Sequence, residues 1–151
     1  MKIRLKTWQK ILIVLICFGI AIVGFMIKLP SGFRHIDKQL HAAFYFGAAA
    51  FLNVLFAGTK FLRHVIIFIV LYLFGMTIEY SQEYSNRFFR RRIHGRFDPE
   101  DIQSNLNGLL AFSMVWIVST IIILVYKKAF LKKPGLWQSL LFFSHKKASR
   151  K

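Results

Sequence analysis

Gly95-Arg96-Phe97-Asp98-Pro99-Glu100-Asp101-Ile102-Gln103-Ser104-Asn105-Leu106-Asn107-Gly108 runs straight into Leu109 to Tyr126, eighteen residues without a charge. The first part reads as a helix start. Asp98 suits an N-cap, Pro99 the first helical position, and Glu100 and Asp101 the positive end of the helix dipole. The second part is long enough to cross a bilayer. A membrane span therefore begins inside the most acidic stretch of the chain. Asp98, Asp101, Asn105 and Gly108 recur at helical spacing on one face of it, a face that spanning alone does not need.

Outward from this stretch the same pattern repeats. Apolar segments near residues 10–28, 40–57, 64–80 and 104–126 predict four spans. The expected fold is all-α, a polytopic membrane protein built as a four-transmembrane-helix bundle. It forms a single membrane domain over residues 1–151 with a basic tail at 127–151. A hydrophobic content of 56% agrees with that class. The first apolar run, Ile11 to Ile27, follows Lys2, Arg4, Lys6 and Lys10. It is long for a signal peptide and no small-x-small cleavage site follows it, so an uncleaved span is expected. In the second segment Ala43 and Gly47 offer a small-residue face for another helix. The third stays apolar to Thr77 and ends in Glu79-Tyr80-Ser81-Gln82-Glu83, with Tyr84 to Phe97 read as a loop. Leu136 to Phe143, with Trp137, reads as an interfacial segment too short to span. Cys17 is the sole cysteine, which excludes an intrachain disulfide and a Cys-based metal site.

The chain carries 22 Lys and Arg against 6 Asp and Glu, a net charge of +16. In a soluble domain that balance would point to nucleic acid. Here the bases flank apolar spans, so membrane lipids are the expected partner and no nucleic acid is expected. The Lys/Arg bias favours both termini in the cytoplasm. All six acids lie between Asp37 and Asp101, and neither end of the chain has any.

Three polar clusters remain: Asp37, Lys38, His41 and Tyr45; Glu79, Gln82 and Glu83; and Arg96, Asp98, Asp101 and Asn105. They fall at the start of the second span, the end of the third and the start of the fourth. In a four-span chain those places share one side of the membrane. A charge at the centre of a span costs about 2.5–3.5 kcal/mol on insertion scales, and such groups face an interior or a cavity. A shared polar pocket near one membrane face is therefore expected. The ligand-binding residues assigned to it are Asp37, Lys38, His41, Tyr45, Glu79, Gln82, Arg96, Asp98, Asp101 and Asn105.

Each residue also has a plainer reading. Asp98 is an N-cap, Asp101 complements the helix dipole, and Asn105 bonds another helix. Glu79 forms an ion pair with Arg96 or Lys38. The Arg90-Arg91-Arg92 run is a lipid-attracted patch. Asn53, Cys17 and Trp116 pack.

With Asp37-Lys38-x-x-His41 and Tyr45, Glu79-x-x-Gln82, and Gly95-Arg96 followed by Asp98, Asp101, Asn105 and Gly108, the chain resembles the VanZ-like family of small bacterial membrane proteins. The resemblance covers about residues 36–126. Two features depart from it. Phe112 stands where the family usually shows a second glycine, and the loop holding Arg90-Arg91-Arg92 is longer than usual. The resemblance implies the bacterial cytoplasmic (inner) membrane, a cell-envelope setting and a link to glycopeptide (teicoplanin) resistance. It does not imply a reaction.

Three function classes follow. The first is an envelope binding protein whose pocket takes an anionic headgroup or a lipid-linked sugar phosphate, with Lys38 and Arg96 as phosphate donors. The second is a membrane hydrolase or transferase on such a lipid, its catalytic candidates being His41, Glu79 and Asp101. His41 or Glu79 would be the general base, and Asp98 with Asp101 could hold a divalent cation. No nucleophile motif supports this class, so no residue is assigned to a metal and no cofactor is expected. The third is a scaffold or transporter, disfavoured by the lack of an inverted repeat.

Overall fold

A computed structural model describes residues 5–26, 36–91 and 97–131. Its elements are α1 (Thr7–Met26), α2 (Asp37–Leu52), a π-helical turn (Asn53–Ala57), α3 (Phe61–Phe88) and α4 (Pro99–Leu131). The described residues contain no strand. α1, α2 with its π turn, α3 and α4 are each long and apolar enough to cross a membrane, which makes this an all-α multi-pass membrane protein. Large apolar side chains such as Leu15, Ile20, Val54, Leu62 and Leu73 lie exposed, as lipid-facing residues do.

Two helices are longer than their apolar runs. α3 continues to Phe88, through residues read as loop, because Glu83 and Arg87 pair one turn apart at 3.0 Å and support a polar last turn. α4 starts at Pro99, where the capping residues require it, and runs to Leu131, into the stretch read as tail. Leu136 to Phe143 lies outside the described residues.

The chain packs as one unit over Met1–Ser113 and a second over Met114–Lys151. The first unit holds everything that follows. Its core follows a helical stripe on α2: His41, Tyr45, Ala49 and Leu52 are buried. α3 contributes His64, Leu71, Gly75, Ile78, Glu79 and Gln82. From α4, Leu109 and Phe112 join them.

The small-residue face at Ala43 and Gly47 does not pack on a helix as expected. Both residues are exposed, and a β-carbon on Gly47 would meet nothing within 4 Å. They line an apolar groove of about 290 Å³ with Cys17, Phe18, Phe44, Ala48 and Phe51. The close approach occurs on the neighbouring face, where Ala42 meets Gly108 of α4. The reason is that the polar stripe must turn inward. His41 and Tyr45 claim the core, so Ala42, one position along, is the residue left facing α4.

At the far end of α2 the helix widens. The Asn53 amide nitrogen donates to the Ala49 carbonyl at 2.8 Å, competing with the backbone ladder, and the Gly58 N–H reaches back five residues to Asn53 at 3.0 Å. Gly58 ends the turn at a φ of 55°, a conformation that favours glycine. Basic side chains satisfy the carbonyls left over. Lys10 donates to Leu55 at 2.7 Å and Arg63 to Phe56 at 2.9 Å. Here too His64 bonds Asn53 at 2.9 Å and Ser113 at 3.2 Å. Because the Asn53 amide nitrogen is committed to Ala49, His64 Nδ1–H donates to Asn53 Oδ1, and Nε2 lies 3.2 Å from the Ser113 hydroxyl, which itself donates to the Leu109 carbonyl at 2.8 Å. Asn53 is thus a buried hydrogen-bonding residue, more than a packing one.

Candidate functional site: three helix ends in one polar chamber

The start of α2, the end of α3 and the start of α4 come together. Two glycines permit it. A β-carbon on Gly108 would run into the Ala42 carbonyl oxygen, so only glycine lets α4 lie this close to α2. A β-carbon on Gly75 would sit 2.9 Å from both the Tyr45 hydroxyl and the Asn105 amide nitrogen. Gly75 therefore makes the room in which these two side chains lie.

Asp98 has two jobs. Its Oδ1 accepts the Glu100 N–H at 2.8 Å, the N-cap of α4. Its Oδ2 accepts from Lys38 at 3.2 Å. Burial pushes the Asp98 carboxyl up, but the Glu100 N–H and the Lys38 ammonium outweigh it and hold the group below the usual carboxylate range. Its own backbone N–H donates to Glu79 Oε2 at 3.2 Å, which ties the end of α3 to the start of α4. Glu79 is 1% exposed. Among the described residues it has no ion-pair partner, because Lys38 is occupied elsewhere.

Lys38 Nζ lies 2.6 Å from Glu100, 3.2 Å from Asp98 and 3.7 Å from Asp101. It neutralises carboxylates instead of standing free as a phosphate donor. Against the carboxylates of Asp37, Glu79, Asp98, Glu100 and Asp101 it is the one lysine or arginine paired with them among the described residues. The chamber is acidic on balance, although the whole chain is strongly basic.

Deeper in, His41 Nδ1 bonds Asn105 Oδ1 at 2.9 Å, and both residues are buried. This fixes the ring. Nε2 then faces Asp37 Oδ1 and Asp101 Oδ2, each at 3.9 Å. Phe25 of α1 packs on the ring face, with centroids 5.1 Å apart, and also meets Tyr45.

Gln82 does not join this group. Its amide nitrogen donates to the Phe25 carbonyl at 2.9 Å, capping the end of α1. Tyr45 is buried against Phe25 and Phe44. Arg96 lies outside the described residues. Asp37, His41 and Asp101 each bring one potential ligand atom within 4.8 Å of the others, a grouping that leaves out Asp98. Gly75 escaped notice in the sequence, although a glycine one helical turn before Glu79 in an apolar run is the signal that marks it. Comparison with known protein families, with curated proteins and with solved structures found no match.

Proposed function

We propose that this chain is a VanZ-like protein of the bacterial envelope whose chamber binds the headgroup of an anionic lipid or a lipid-linked sugar phosphate. The observation that supports it is the junction of Asp98 with both Glu79 and Lys38, which gathers polar groups from three helices in an otherwise lipid-facing chain. Division of labour follows from charge. The carboxylates and Asn105 suit sugar hydroxyls, which donate hydrogen bonds. The phosphate falls to the arginine-rich connection between α3 and α4, where Arg90 and Arg91 are exposed and Arg96 follows in sequence. Both termini lie in the cytoplasm on this reading, and the resemblance would extend it to glycopeptide resistance.

The test is lipid mass spectrometry of the full chain extracted in mild detergent. Polyprenyl phosphate or an anionic phospholipid should be enriched over bulk membrane. It should be depleted in Arg90→Ala/Arg91→Ala/Arg96→Ala and, separately, in Asn105→Ala. Equal lipid recovery from all three proteins sinks the reading.

A second reading, a hydrolase or transferase on the same lipid, draws on His41. Asn105 holds the ring with Nε2 toward the chamber, as a general base is held. Headgroup or phosphate release by the purified protein, lost in His41→Gln, would favour it over binding alone.

A further inference from the structure

We propose that Asp37, His41 and Asp101 bind a divalent first-row metal ion of the Mn²⁺ or Zn²⁺ type. The site shares the chamber assigned to the headgroup, but metal binding is measured without lipid and survives the failure of that reading.

The argument begins with distances. One oxygen or nitrogen from each of the three residues lies within 4.8 Å of the others. His41 Nε2 is 3.9 Å from an oxygen of each aspartate. That is too long for a hydrogen bond. Ligand atoms that share one ion at about 2.0–2.2 Å sit closer still, about 3.0–3.6 Å apart, so the carboxylates must move in on binding. A small inward rotation of the carboxylates brings all three onto one ion.

The second observation concerns what the two carboxylates lack. Asp37 Oδ1 and Asp101 Oδ1 are buried with no hydrogen-bond partner among the described residues. Asp101 as a whole is 8% exposed. Its Oδ1 has only the Lys38 ammonium at 3.7 Å, beyond bonding distance. A buried carboxylate oxygen left without a donor is costly. His64 makes the contrast within the same chain. There the ring has Asn53 on one nitrogen and the Ser113 hydroxyl on the other. At His41 the Asn105 carbonyl takes Nδ1–H, and the opposite nitrogen faces two acceptors. Asp37 Oδ1 and Asp101 Oδ2 face the same imidazole nitrogen, Asp101 Oδ1 beside them lacks a donor, and a cation among the three side chains would satisfy these oxygens together.

The donor set names the ion class. Two carboxylates suit Mn²⁺, and one imidazole draws the site toward Zn²⁺ or Fe²⁺ and away from Ca²⁺ and Mg²⁺. Asn105, bonded to the far side of the imidazole, is the outer partner that a metal-ligating histidine ordinarily has. Lys38 is the competitor, a tethered cation next to Asp101.

The test uses the full chain in detergent micelles, stripped with a chelator and titrated with Mn²⁺ and then Zn²⁺. One ion per chain is expected, and bound Mn²⁺ should show spin-echo modulation from a histidine nitrogen. Asp101→Asn, Asp37→Asn and His41→Gln should each weaken binding by at least about tenfold, and Asn105→Ala by a similar or smaller factor. Glu83→Gln should bind as the parent does. Lys38→Met should bind more tightly, an outcome that no merely structural role of the cluster produces. Substoichiometric metal, no nitrogen coupling in the unmutated protein, or parental affinity in folded Asp101→Asn overturns the proposal. The unmutated protein alone decides the matter if the variants fail to fold.

Discussion

Gly108 stands directly against Ala42: a β-carbon built on it would lie 2.9 Å from the Ala42 carbonyl carbon and 3.0 Å from its Cα. Backbone meets backbone there, so neither partner can yield by changing rotamer. Gly108→Ala should therefore cost about 1–3 kcal/mol by overpacking. Gly47→Ala, with open space around it, should be neutral. Thermal unfolding of the two variants in one detergent checks this, and equal midpoints would contradict it.

Asp98 carries a pH prediction. Its folded carboxyl lies below its unfolded value of about 3.9, so its stabilisation is present above that pH and is lost as pH falls through the depressed value. Unfolding midpoints measured from pH 7 down to pH 3 should fall more steeply in the parent than in Asp98→Asn. The asparagine keeps the cap and gives up the titration. Asp98→Ala should lose about 0.5–2 kcal/mol at neutral pH through the missing cap.

His64 holds the other end of the first unit. His64→Ala leaves Asn53 Oδ1 and the Ser113 hydroxyl without their ring partner. The expected loss is about 1–3 kcal/mol for groups buried without water. A double-mutant cycle with Asn53→Ala should return a coupling of about 0.6–1.7 kcal/mol, between the average and the maximum found for such pairs within membranes. Additive losses would mean the two residues act separately.

Gln82→Leu removes the donor to the Phe25 carbonyl without removing bulk. α1, which buries no residue of its own, should then hold less firmly to α3. Thiol labelling of a cysteine placed at the half-buried Ala21, which leaves the edge-on Phe18–Phe74 contact at 4.9 Å in place, should speed up in that background once Cys17 is replaced. An unchanged rate would show that aromatic packing alone seats α1.

Much of this was legible in the residues. Span number follows from the apolar runs, and the start of α4 follows from Asp98-Pro99-Glu100-Asp101, where capping and dipole chemistry agree. Helix ends beyond the apolar runs were harder to read. Glu83 and Arg87 extend α3 by a pairing that hydropathy does not register. Partner choice was harder still. Lys38 had several acids within sequence reach, and only geometry sends it to Glu100, Asp98 and Asp101 instead of Glu79. Gln82 shares a helical face with Glu79, yet its amide turns to a backbone carbonyl on α1. Sequence spacing describes a face. It does not describe which neighbour stands opposite.

The reach of Lys38 across three carboxylates changes what any visitor to this region encounters. The seat comes with a resident placeholder, fastened by its own stem and able to swing out without leaving. Admission is then an exchange of one positive charge for another. A singly charged guest gains little by it, whereas a doubly charged one leaves the surroundings better neutralised than before. Discrimination by valence would be built into the vestibule itself, upstream of any fine matching of shape.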